Sequence, residues 1–204
     1  MNSRNWVRLF LSTLFVGGIS TVIVAFVVDW HKHSEIVASG DVMELLSVTF
    51  WYIGIGLIFS VISQMGFFAY LTLHRFGLGI FKSYWSTVQV VLIIFVLFDL
   101  VYFRYIAFAN EGDSLFPYFA FPIFLLIYGL MVAFVKKAQT NRHAFIPALF
   151  FMVVVTTVEW FPVLRENEPA WLLLMLFPLL ACNSYQMLIL HKLNQPRGKA
   201  VTAK

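Results

Sequence analysis

The sequence predicts an all-α polytopic membrane protein, a six-helix transmembrane bundle with both termini cytoplasmic. Three observations predict it. Of 204 residues, 61% are hydrophobic and 12% charged, with a mean hydropathy of +0.85; soluble domains run about 45–50% apolar and roughly 25% charged. Six apolar stretches approach or exceed the roughly 20 helical residues that cross a hydrocarbon core. Lysine and arginine, finally, gather on one side of those stretches. A soluble fold of this length has too little interior to hide so much apolar surface. Long unbroken apolar runs, in place of alternating ones, exclude a β-barrel.

The first span is 7–28. Arg4 and Arg8 precede it as they would in a signal peptide, but its apolar run of about 20 residues exceeds the usual 7–15 of such a leader. It also ends in "VVDWHKH" without a small-x-small cleavage pattern, so a retained helix is expected. Span two, 47–73, follows "DVMELL", where Asp41 and Glu44 form a capping-box-like pair. An inner link, 74–84, leads to span three at 85–103. Span four, 116–135, contains Pro122 and is followed by "KKAQTNR", whose Asn141 precedes span five at 144–164. "NEP" at 167–169 offers a capping Asn and a Pro at the start of span six, 170–190. Pro122 and Pro178 are expected to kink their helices. Residues 1–194 then form a single membrane domain, and 195–204 a flexible basic cytoplasmic tail.

Charge sets the orientation. With the N-terminal side called inner, that side carries eleven basic residues and no acid: Arg4, Arg8, Arg75, Lys82, Lys136, Lys137, Arg142, Lys192, Arg197, Lys199 and Lys204. The outer side has Lys32, Arg104 and Arg165 against eight acids. The positive-inside rule makes the inner side cytoplasmic. All six tryptophans fall near expected interfaces. The basic inner segments suit an anionic leaflet; four separate short patches do not make a nucleic-acid stripe, so membrane lipids and not nucleic acid are the expected contacts.

Chemistry-bearing residues within the spans are few. Asp99 and Glu159 share an outer depth, with Arg104 and Arg165 at the outer ends of the same two spans as pairing candidates. A carboxylate in lipid requires a reason. Three are open: a strut bonded to arginine or to a tyrosine such as Tyr102, a ligand- or signal-sensing group, or proton and ion coupling. A deeper neutral set comprises Ser60, Ser63, Gln64, Gln89, Asn183 and Gln186, which would cross-link helices or line a path. Small residues at four-residue spacing, Gly17/Thr21/Ala25 and Gly56/Ser60, would let backbones approach closely. Cys182 is the sole cysteine, which rules out an internal disulfide. The HxH at His31 and His33 is a weak metal pattern, and His74, His143 and His191 read as interface anchors. With no HExxH, CxxC, GxSxG or GxxxxGK[ST], neither an enzyme nor a cofactor is expected.

The stretches "FSVISQMGFFAYLTLHRFGLGIFKSYWSTVQVVLIIFVLFDLVYFRY" (59–105) and "NRHAFIPALFFMVVV" (141–155) resemble the KinB signalling pathway activation family (KbaA) of spore-forming bacteria. The resemblance covers nearly the whole chain and carries no catalytic signature. It implies a cell-membrane regulator whose partner is a membrane sensor histidine kinase on the route to sporulation. Helix packing against the kinase would do most of the work. Cytoplasmic contacts are expected from Arg75, Lys82, Lys136, Lys137, Arg142, Lys192 and Arg197. The alternative is a small transporter or ligand-sensing protein using Asp99 and Glu159.

Overall fold

The structure, a computed structural model, describes residues 3–110 and 114–194. Among them the regular structure is entirely helical. Helix α1 is Ser3–Val28, α2 is Trp30–Ser39 and α3 is Val42–Phe81. A 3-10 turn at Lys82–Tyr84 joins α3 to α4, Trp85–Phe108. Another at Phe116–Phe119 opens α5, Ala120–Gln139. The next rod is composite: a turn at Arg142–Ala144, α6 at Phe145–Phe150, a π turn at Phe151–Val155, and α7 at Thr156–Glu166. Helix α8, Pro169–Asn194, ends the described chain.

Among the described residues five helical stretches are long and apolar enough to cross a membrane, one of them the 67-residue run Val42–Phe108. That run is two antiparallel rods. Tyr70 of α3 donates to the Pro147 carbonyl and Gly66 faces Glu159, whereas α4 sets Trp85 near Phe150 and Arg104 near Asn167. So α3 runs against the α6–α7 rod and α4 runs with it. The two part at Lys82, whose φ of 49° breaks the helix.

The expected inner link 74–84 is therefore mostly helix, since α3 continues to Phe81. Its glycines do not open the turn. Gly77 instead makes room for the Trp85 indole, whose ring lies where a Gly77 side chain would begin. The outer link likewise contains α2, closed by Gly40 in the left-handed region at φ 68°.

Asp41 caps α3 as expected, accepting from the backbone N–H groups of Met43 and Glu44. Asn141 accepts from the His143 N–H. Asn167 takes a different role from the expected cap of α8: it ends α7 in the left-handed region at φ 51°. Asn tolerates that conformation because its short polar side chain bonds locally. Pro122 lies in the first turn of α5, where a missing N–H costs nothing. Pro178 is interior to α8 and Pro162 to α7.

Helix α8 lies at the centre, packed against α1, α3, α5 and α7. Leu176, Leu179 and Leu180 of α8 are buried with Phe151, Met152 and Val153 of the π turn. Helix α1 crosses α3 where Gly17 meets Gly56, so the two small-residue rows face one another. Trp160 departs from the expected interface position. It is fully buried, its Nε1–H donating to the Leu172 carbonyl at 3.0 Å.

Candidate functional site

Three groupings of polar residues stand out along the bundle, one inside it and one at each end. The interior one is built on Asn183 of α8. Its Nδ2 donates to Glu159 Oε2 at 2.6 Å and to Thr156 Oγ1 at 2.9 Å, while its Oδ1 accepts from Ser63 Oγ at 2.6 Å. Gln186, one turn on, donates to the same Ser63 at 2.6 Å. A single amide thus ties α8 to both α3 and α7. The π turn shifts the register between α6 and α7, and beyond it Thr156, Glu159 and Trp160 are all buried. Space for the carboxyl comes from Gly66: a methyl group there would collide with Glu159 Oε1.

Several atoms of this interior are buried without a hydrogen-bond partner: Glu159 Oε1, Gln64 Nε2, Gln186 Oε1 and both amide atoms of Gln89. Ser60 donates to the Gly56 carbonyl, and its hydroxyl lies 3.8 Å from the buried Cys182 sulfur. The six interior candidates therefore divide. Glu159, Asn183 and Gln186 join one network through Ser63 and Thr156. Gln64 and Gln89 are buried but outside its hydrogen bonds, and Asp99 is elsewhere.

Asp99 belongs to the outer end. There α4 and α7 border a cavity of about 500 Å³ that Asp99 lines together with Arg104 and Arg165. Its walls are otherwise mostly apolar, from Leu100 and Phe103 on one side and Val158 and Phe161 on the other, with Thr157 donating its hydroxyl to the Val153 carbonyl. The carboxylates do not pair with the arginines as the strut reading expects. Arg104 Nη2 donates to Asn167 Oδ1 at 2.7 Å and its guanidinium sits over Phe121 and Tyr118. Among the described residues Asp99 and Arg165 make no ion pair; the pair that does form is Lys32 with Asp29, at 3.2 Å, in the outer link. That hydrogen bond and the Asp29 charge raise the Lys32 ammonium above its usual pKa.

The inner end is cationic. Arg4, Arg8, Arg75, Lys82, Arg142 and Lys192 are exposed there, and Lys137 lies over the rings of Phe134 and Phe145. Asn5 donating to the Leu193 carbonyl, and Trp6 against Phe68, place the first turns of α1, the last turn of α8 and α3 together at that end. Lys136 is a correction: it is buried, its Nζ donating to the Met187 carbonyl at 2.6 Å, and so presents no surface. Its flexible stem reaches a backbone acceptor within the bundle. Arg197 lies outside the described residues. Among those described, no three His, Cys, Asp or Glu side chains are grouped as metal ligands.

Sequence reasoning missed Thr156, Gly66 and Asn167. Two carried a faint signal: the hydroxyl pair "TT" at 156–157 interrupts an apolar run, and "SQMG" sets a glycine two residues beyond a glutamine. Asn167 carried one too, read as the wrong cap.

Comparison with known proteins bears on the whole chain. Residues 17–193 match the family model KbaA, described as KinB-signalling pathway activation in sporulation. A Bacillus subtilis (strain 168) protein named KinB-signaling pathway activation protein is 48% identical over 194 residues, which is 94% of this chain and 98% of that protein. No solved structure matches.

Proposed function

The chain belongs to the KbaA family of KinB-signalling pathway activation proteins, and from that footing we propose that it is a multi-pass protein of the cell membrane that activates a KinB-type sensor histidine kinase. The observation that carries this reading is the extent of the likeness: 48% identity over 94% of the chain. A chain so largely made of membrane-length helices can reach a kinase through few surfaces. They are its lipid-facing helix sides and the cationic inner end, with Arg75, Lys82, Lys137, Arg142 and Lys192 exposed. Both termini are cytoplasmic in this account, since the inner end carries the basic excess. Membrane lipids surround the helices, and the basic residues rest against anionic headgroups.

Complementation tests it. Expressed in Bacillus subtilis lacking its own 48%-identical relative, this chain is expected to restore KinB-dependent sporulation. Normal membrane levels with no restoration would overturn the reading.

A further inference from the structure

We propose that the cleft between α4 and α7 seats a transmembrane helix of the kinase, one that brings a hydrogen-bond donor to Asp99 and an acceptor to Arg165. The inference rests on the regulatory reading above and adds the docking face and the partner's chemistry. Helix α4 packs against α6 and the π turn, but toward the outer end it and α7 border the open cavity of about 500 Å³. The lining runs along α4 from Val96 to Phe108, about 18 Å of helix, enough for three turns of a partner.

The polar residues of the cleft say what should fill it. Carboxylates within membrane helices face the bundle interior or pair with a partner. Glu159 does both; Asp99 does neither. It is half-buried and lines the open cleft, and its one close cation in sequence, Arg104, is engaged with Asn167. Arg165 also lines the cleft, on the α7 side. Arg104 lies five residues, about 7 Å, beyond Asp99 along α4, and its bond to Asn167 sets the outer end of α7, which carries Arg165, at that further level.

This vertical order selects the occupant. An acyl chain has no donor and would leave Asp99 unsatisfied. A second copy of this chain, related by a two-fold axis along the membrane normal, would set Asp99 against Asp99 and arginine against arginine. A helix that rises from the cytoplasm meets the need better. It would carry an amide, hydroxyl or basic side chain at the Asp99 level. Its outer, C-terminal carbonyls or an acid would meet Arg165, since cations favour that end of a helix.

A photo-crosslinking residue at Val158 or Phe161, in full-length protein co-expressed with the kinase, tests the assignment against probes at Phe15 and Ile127 on other exposed faces. Kinase adducts are expected from the two cleft positions and not from the other two. Asp99→Leu should lower the cleft adduct about threefold, the scale of one interhelical polar contact, while Asp99→Asn, which keeps an acceptor, retains it at equal membrane levels. Kinase adducts from Phe15 or Ile127 alone would overturn the cleft and leave the regulatory reading standing. Lipid-only adducts at the cleft would overturn it in favour of a lipid occupant. Failure of complementation, by contrast, would remove the regulatory reading itself.

Discussion

Gly56→Leu is expected to prevent α1 from docking on α3 and to remove most folded protein from the membrane. A side chain at Gly56 would begin 2.6 Å from the Gly17 carbonyl oxygen and 2.8 Å from the Gly18 Cα. These are backbone atoms, which no rotamer change can move aside. The helices must separate, and the close contact that replaces a hydrophobic driving force in lipid is lost with them. Overpacking costs typically about 1–3 kcal/mol and occasionally more; a leucine against backbone belongs at or above the upper end. Gly54→Leu is the control, because nothing lies within 4 Å of its would-be side chain. That variant should stay within about 0.5 kcal/mol of the parent. Thermal unfolding in detergent, with membrane levels measured in parallel, separates the two. Equal behaviour of both variants would refute the crossing.

The interior network gives the second large effect. Asn183→Leu removes partners from Ser63, Thr156 and Glu159 at once. Interhelical polar contacts in membranes average about 0.6 kcal/mol, whereas a buried group left unpaired costs about 1–3 kcal/mol. Three such groups set the expected loss at about 2–4 kcal/mol. Glu159→Leu should cost a similar amount, and the double variant less than the sum, since both act on one bond. Glu159→Gln is expected to remain within about 1 kcal/mol. A glutamine oxygen can accept from Asn183 as Oε2 does, and its amide would occupy the Oε1 position beside Gly66. A Gln variant as unstable as the Leu variant would show that the carboxyl does something an amide cannot. Its place as a structural link would then fall.

Much of this fold was legible because lipid enforces a simple rule: every rod must be helical and long enough to cross. Each expected span lies inside an observed helical stretch, and the caps at Asp41 and Asn141 are where short polar side chains precede apolar runs. The inner link was less legible: "HRFGLGIF" between two spans reads as a connection, yet α3 continues through it to Phe81 and Gly77 serves an indole, a contact that local sequence cannot express. Periodicity also failed to reveal the π turn at Phe151–Val155, since an apolar run hides one extra residue per turn.

The polar residues divide by the same logic. That Glu159 is buried and bonds Asn183 did not follow from its depth, because α7 and α8 meet only in three dimensions. Asp99 and Glu159 share a depth in sequence but occupy opposite fates, one at an open cleft and one in the core. Which side of a helix a residue takes depends on register, and the π turn reset it for α7. Lys136 shows the converse: composition put it with the surface cations, and a single carbonyl on α8 drew it inward.

Cysteine accessibility in intact cells tests the sidedness on which the account turns. The native Cys182 is buried and gives little background. With a membrane-impermeant thiol reagent, Ser39→Cys at the end of α2 should label at once, and Thr140→Cys beside the cationic α5–α6 turn should label only after the cells are opened. Immediate labelling at residue 140 with protection at residue 39 would contradict it, and would put the basic end outside the cell, out of reach of a cytoplasmic kinase domain.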